Sequence, residues 1–82
     1  MFKVGDRVRF IGDPELGYYS RGLEKGKIYR VVEVQGPRSY QDHIRTNCKT
    51  RSNYSSDEGG RLDYWWTYAS DYIKVDSNIN DR

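Results

Sequence analysis

The sequence is short of the features that mark secreted, membrane and disulfide-stabilised proteins. Its 82 residues include a single cysteine, Cys48, which cannot form an internal disulfide and so favours a reducing compartment. No apolar run approaches the roughly 20 residues that cross a bilayer. The segment Met1–Asp6 lacks the apolar stretch of a signal peptide. We therefore expect a cytoplasmic protein.

A strong charge of either sign is also missing. Fourteen Lys and Arg residues stand against twelve Asp and Glu residues, which gives a formal net charge of +2. This charge is too small to identify a nucleic-acid-binding protein by itself. A chain of this length builds a single core. We expect one domain over residues 1–76, followed by a polar tail at 77–82.

Residues that favour helices are scarce, with one Ala and three Leu against six Val, five Ile and twelve aromatic residues. Val, Ile and Tyr favour strands. Short segments in which apolar and polar residues alternate, separated by turn residues, also indicate strands. We predict strands at 6–11, 28–34, 40–47, 62–68 and 72–75. This pattern favours an all-β fold, a small five-stranded antiparallel barrel with at most one short helical turn, near Ala69–Asp71.

Alternation along two of these strands predicts which side chains face the core. In the second strand Ile28, Val32 and Val34 share a face, and Arg30 on that face indicates a bulge or a barrel rim. In the fourth strand two consecutive tryptophans must point in opposite directions. The core face there is predicted to carry Leu62, Tyr64, Trp66 and Tyr68, which leaves Trp65 exposed.

Two long loops connect the predicted strands. Residues 12–24 carry the conspicuous Tyr18-Tyr19 pair, and long loops in compact domains are often functional. Residues 47–60 contain one large apolar side chain, Tyr54. Little burial can offset the entropy of ordering such a segment, so we predict one long mobile loop at 47–60.

Three stretches resemble the Src-homology-3-like (SH3-like) barrels of bacterial and phage proteins. Phe2–Phe10 resembles their opening strand, with its "V-G-D-x-V" pattern, and Gly22–Val31 is similar to the "L-x-x-G-K-x-Y-x-V" approach to the second strand. Trp66–Val75 is similar to the tight turn and the last strand. The resemblance implies an SH3-like barrel of the phage or prophage accessory type, which would act in the cytoplasm of a bacterial host.

The sequence departs from the eukaryotic modules of this fold that bind proline-rich peptides. Their opening Ala-Leu-Tyr-Asp-Tyr stretch has no match here, and the proline before their terminal motif is absent. Tyr72 matches a tyrosine of that motif, but Asp71 stands where Asn is usual. Binding of proline-rich peptides is therefore not implied.

Residue types that carry metal or covalent chemistry are too few for a catalytic site. His43 and Cys48 are the only soft metal ligands, whereas a structural zinc site needs four ligands. A nucleophilic pair of these two residues would lie beside a mobile loop, which is a poor preorganised site. Gly22–Lys27 lacks both the spacing and the following helix of a phosphate loop. We expect neither an enzyme nor a cofactor.

The surplus of aromatic residues is the main functional signal. A small barrel has room for only some of the twelve aromatic side chains. Exposed Trp and Tyr residues are typical of binding hot spots. We predict a surface that binds a host or partner protein. Its contact residues are Trp65, Tyr68, Tyr72, Tyr18 and Tyr19.

Two other ligands stay open at this point. Bases of a single-stranded nucleic acid could stack on tyrosines while arginines hold the phosphates. The residues for that alternative are Arg38, Tyr40, Arg45, Arg51, Tyr54 and Arg61. The second alternative is a nucleotide-sized ligand held between aromatic rings and Arg.

Overall fold

Five antiparallel strands form one sheet in the computed structural model, which describes residues 2–36 and 42–75. The sheet order is β4-β3-β2-β1-β5. The strands are β1 (Arg7–Phe10), β2 (Ile28–Val34), β3 (His43–Thr46), β4 (Thr67–Tyr68) and β5 (Tyr72–Lys74). The all-β class and the five antiparallel strands are confirmed. The predicted tail at 77–82 lies outside the described residues.

The sheet is curved but not closed. Its edge strands β4 and β5 are joined by a single 3-10 turn, Ala69–Asp71, although they stand at opposite ends of the strand order. A link of three residues requires the two edges to come close, so the sheet must curl around its core. The described residues form no pairing between β4 and β5, and the fold is barrel-like rather than a closed barrel.

The core lies on the concave side of this sheet. Val8 and Phe10 of β1 are fully buried, and the rings of Phe10 and Tyr72 pack in a T-shaped arrangement with the centroids 5.6 Å apart. The other buried hydrophobic residues are Leu23, Tyr29, Val31, Ile44 and Ala69. Leu23 comes from the loop before β2, so the core also anchors the end of that loop.

A bulge in β2 corrects the predicted face of this strand. The register with β3 shifts between Val31 and Glu33, which leaves Val32 as an extra residue. Tyr29 and Val31 are buried, whereas Val32 is exposed. The predicted core face was therefore wrong at Val32, whereas Val34, beyond the bulge, is partly buried and packs against the core. The conflict at Arg30 had indicated a bulge.

The segment before β4 is not the predicted seven-residue strand. Only Thr67 and Tyr68 are in a strand, and Asp63 makes an isolated bridge with Thr50. Leu62, Tyr64 and Tyr68 are exposed rather than buried. The prediction assumed that side chains alternate between two faces of a regular strand. Residues 62–66 do not form such a strand, so the alternation does not apply to them.

Residues 47–60, the predicted mobile loop, contain buried residues and local hydrogen bonds. Thr50, Ser52 and Gly59 are buried, and a second 3-10 turn, Glu58–Gly60, adds to the single helical turn that was predicted. The Ser52 amide donates to the Gly59 carbonyl at 2.6 Å. The hydroxyl of Ser52 accepts the amides of Tyr54 and Ser55. Polar side chains thus supply the order that apolar burial could not.

One buried hydrogen-bonded pair connects β4 with the core. The Thr67 hydroxyl donates to the Ile44 carbonyl at 3.0 Å and lies 2.7 Å from the Tyr72 hydroxyl. We expect Thr67→Val to lower the free energy of unfolding by about 1–2 kcal/mol, because it leaves buried polar groups without their partner. Urea denaturation measures the loss. A variant as stable as the wild type would contradict this role.

No helix in the described ranges is long and apolar enough to cross a membrane.

Candidate functional site

A pocket of about 270 Å³ opens between the loop before β2 and the end of the sheet. The loop contributes residues 17–20, and the sheet contributes His43 of β3 and residues 66–68 around β4. The carboxyl-bearing Asp71, from the 3-10 turn, completes the lining. We call this site the aromatic pocket, because five of its nine described lining residues carry aromatic rings.

Alternation in the short strand β4 gives the pocket one wall. Thr67 points into the core, where its hydroxyl is bonded, and Tyr68 is therefore exposed on the opposite face. The Tyr68 ring lies 5.1 Å from the His43 ring across the β3–β4 pair. The sheet thus presents two neighbouring rings toward the pocket from adjacent strands.

Tyr19 forms the opposite wall and rests on Trp65. The two rings are stacked, with centroids 4.9 Å apart and planes 19° apart. Trp65 is held in turn by its indole Nε1, which donates to the Arg61 carbonyl at 2.8 Å. Trp65 is half-buried and does not line the pocket. Its place is behind Tyr19, as a support for the loop.

Trp66 lines the pocket itself, whereas Trp65 supports Tyr19 from behind. The Arg45 guanidinium lies over the Trp66 ring, 4.5 Å from the centroid, and also bonds Glu33 at 3.1 Å. Both tryptophans are half-buried, so neither is the core residue or the fully exposed residue that the sequence predicted. The irregular backbone at 62–66 allows both rings to pack on the surface.

Asn53 fixes the loop that carries the tyrosines. Its side-chain nitrogen Nδ2 donates to the Pro14 carbonyl at 2.9 Å and to the Gly17 carbonyl at 2.7 Å. Its backbone amide donates to the Tyr18 carbonyl at 3.1 Å. Sequence reasoning missed Asn53, because these partners lie more than 30 residues away in the chain and no local pattern indicates them.

Asp71 is the one carboxylate among the described lining residues. Its carboxyl group packs against loop backbone, since a β-carbon at Gly12 would lie 2.8 Å from Oδ1. Glycine at position 12 is therefore required for this close approach. The described part of the chain supplies no hydrogen bond or ion pair to the carboxylate. Burial raises the pKa of Asp71 above its ordinary value.

This raised pKa fixes the sign of a pH-dependent stability effect. A carboxyl group whose pKa is higher in the folded state lowers stability as the pH rises through that pKa, and has no such effect below the unfolded value of 3.8. We expect Asp71→Asn to raise the free energy of unfolding at pH 7 by less than about 1 kcal/mol. The gain should vanish at low pH. Urea denaturation at both pH values checks this, and a loss of stability at pH 7 would contradict it.

The structure brings together three of the five residues predicted to contact a partner. Tyr18, Tyr19 and Tyr68 line the aromatic pocket, and Trp65 lies behind Tyr19. Tyr72 is a correction, because it is buried in the core and its hydroxyl is bonded to Thr67. Burial raises its pKa as well. Tyr72 is the first residue of β5, and its side chain points into the core.

The described residues of the nucleic-acid alternative make separate contacts with different partners. Arg45 and Arg61 cover Trp66 and Trp65, and each bonds a carboxylate, Glu33 for Arg45 and Asp63 for Arg61. The backbone of Arg51 pairs with Arg21, and the Tyr54 hydroxyl donates to the Leu16 carbonyl. Arg38 and Tyr40 lie outside the described residues.

The thiol and the imidazole make separate contacts. Cys48 Sγ lies near the carbonyls of Gly22 and Lys49, at 3.8 and 3.5 Å. Burial raises the pKa of this thiol, which disfavours the nucleophilic thiolate. His43 packs on Tyr68 in the pocket. Residues 2–36 and 42–75 contain no group of three or more His, Cys, Asp or Glu side chains that could hold a metal ion.

Comparisons with protein-family models, with curated proteins and with solved structures find no match.

Proposed function

We propose that the protein is a non-catalytic binding module that holds a host or partner protein at the aromatic pocket. The observation that carries this proposal is the convergence of aromatic rings from two distant parts of the chain, Tyr18 and Tyr19 in the loop and Trp66 and Tyr68 at the β4 edge of the sheet. Tyr and Trp are the residues most enriched in the centres of protein interfaces.

The size of the pocket supports an anchoring side chain rather than a substrate. Sites for small molecules and cofactors measure roughly 300–1,000 Å³, and this pocket, at about 270 Å³, lies at the lower limit of that range. A single large side chain from a partner fits such a volume, with the rest of the contact on the surrounding surface. A nucleotide-sized ligand is the weaker alternative for the same reason.

The strand order and the 3-10 turn between β4 and β5 support the resemblance to SH3-like barrels. We extend the proposal accordingly to an SH3-like accessory protein of a phage or prophage that acts in the bacterial cytoplasm. This extension depends on three sequence stretches and on topology. The proposed binding site does not require it.

Single-stranded nucleic acid is the second candidate, because two arginines lie over the two tryptophans. Guanidinium groups next to aromatic rings suit a ligand with bases and phosphates. Each of these arginines, however, is already paired with a carboxylate, Arg45 with Glu33 and Arg61 with Asp63. That pairing leaves less positive charge for phosphates, and it favours a protein partner.

Two matched variants test the proposed function. Tyr68 and Tyr64 are exposed to nearly the same degree, 43% and 44%, but only Tyr68 lines the pocket. Wild type, Tyr68→Ala and Tyr64→Ala are immobilised, and proteins captured from a bacterial lysate are quantified. We expect Tyr68→Ala to weaken capture of the main partner at least tenfold, as a hot-spot residue does, while Tyr64→Ala captures it normally.

Equal capture by Tyr68→Ala and wild type would contradict the proposed site. A labelled single-stranded oligonucleotide, titrated at several salt concentrations, separates the second candidate. Binding that weakens steeply with salt and depends on Tyr68 would favour nucleic acid over a protein partner. The proposal expects no such binding.

A further inference from the structure

The aromatic pocket combines aromatic rings with one carboxylate that lacks a counter-charge. The described lining contains Asp71 and no Lys or Arg. Asp71 has no hydrogen bond or ion pair within the described residues, in contrast to Asp63, which accepts a hydrogen bond from the guanidinium of Arg61. An unpaired carboxylate in a partly buried site is unfavourable for folding. A positively charged ligand would supply the missing partner.

The rings around Asp71 suit a cation as well. Tyr and Trp attract ammonium and guanidinium groups to their faces. This chain already uses that contact twice nearby, since Arg45 and Arg61 lie 4.5 and 5.8 Å from the ring centroids of Trp66 and Trp65. Aromatic faces and a carboxylate together match a guanidinium better than an ammonium, because the guanidinium is planar, stacks on rings and pairs with a carboxylate through two parallel hydrogen bonds.

We propose that the aromatic pocket receives an arginine side chain of the partner protein, with the guanidinium held between the rings and the carboxylate of Asp71. This inference depends on the proposed function, because it names the chemistry of the anchoring residue. The raised pKa of Asp71 is consistent with it, since groups whose pKa is shifted by burial are concentrated at functional sites. A phosphate-bearing ligand would instead meet repulsion from this carboxylate.

The test is a nuclear magnetic resonance titration of the 15N-labelled protein with three small probes. N-acetyl-arginine amide carries the proposed group, N-acetyl-citrulline amide is its neutral isostere, and N-acetyl-lysine amide is a cation without the planar fork. We expect the arginine probe to shift the Trp66 indole and Tyr68 amide signals. Its affinity should exceed that of the citrulline probe about tenfold and that of the lysine probe severalfold.

Asp71→Asn is the decisive variant and Asp57→Asn is its control. Each variant removes one negative charge. Asp57 is exposed and lies outside the pocket, so its variant shows the effect of the lost charge alone. We expect Asp71→Asn to weaken binding of the arginine probe about tenfold and to leave binding of the citrulline probe unchanged. Asp57→Asn should bind both probes as the wild type does.

Three results would overturn the inference. They are equal affinity of the arginine and citrulline probes for wild type, equal affinity of the arginine and lysine probes, and equal effects of Asp71→Asn and Asp57→Asn. Failure here is distinguishable from failure of the proposed function. If the probes do not discriminate but Tyr68→Ala still abolishes capture of the partner, the pocket binds protein through another side chain.

Discussion

Phe10→Ala is expected to lower the free energy of unfolding by about 3–5 kcal/mol, the usual loss for a fully buried phenylalanine. Phe10 is completely buried on β1, and its ring packs against the ring of Tyr72 in a T-shaped arrangement. The deletion opens a cavity where β1, its neighbour β5 and the 3-10 turn Ala69–Asp71 come together. A domain of 82 residues has a total stability of only several kcal/mol, so much of the population should unfold.

Ile73→Ala provides the control for this prediction. Ile73 pairs with Arg9 on the neighbouring strand, but its side chain is exposed, so its loss should cost less than about 1 kcal/mol. Urea denaturation followed by fluorescence measures both variants, and circular dichroism identifies an unfolded population. A loss below 1 kcal/mol for Phe10→Ala would mean that the core is not organised around this ring.

Asn53→Asp is expected to have the second-largest effect, a loss of about 2–3 kcal/mol in stability. The substitution keeps the side-chain volume but removes the amide donor to Pro14 and Gly17, and it places a carboxylate beside their carbonyl oxygens. Unsatisfied and repelling polar groups of this kind cost about 1–3 kcal/mol. The loop that carries Tyr18 and Tyr19 should lose its fixed position, and partner capture should fall with it.

The control for Asn53→Asp is Ser56→Ala, in an exposed position of the same segment. We expect this variant to keep wild-type stability and capture. Hydrogen exchange resolves the local effect, because the amides of residues 16–19 should exchange faster in Asn53→Asp. Unchanged exchange at these residues would show that Asn53 does not hold the loop.

The strands and turns could be predicted from the sequence, because each depends mainly on residues that are neighbours in the chain. Strand β2 was found at its full extent, 28–34, since a run of Val, Ile and Tyr between turns is unambiguous. The helical turn at Ala69–Asp71 was also confirmed. The predicted face of β2 was wrong up to Val32, because Tyr29 and Val31 are the buried residues there, and right at Val34, which packs against the core after the bulge. The bulge reverses the alternation at one residue and leaves no mark in the sequence other than the misplaced Arg30.

The site was predicted only in part, because some of its residues are conspicuous in the sequence and others depend on distant contacts. Tyr18, Tyr19 and Tyr68 are conspicuous as aromatic residues in a polar sequence, and they do line one pocket. The order of residues 47–60 and the role of Asn53 depend on hydrogen bonds between segments far apart in the chain. Such bonds follow from the tertiary structure, so a single sequence gives no indication of them.

Hydrogen exchange of the protein, free and bound to the partner that it captures, tests the central claim most directly. If the aromatic pocket is the binding site, binding should slow amide exchange in residues 17–20 and 66–69 and leave the exposed edge strand β5 unchanged. Protection confined to β5, with no change around the pocket, would show that the partner pairs with the sheet edge, and it would contradict the account.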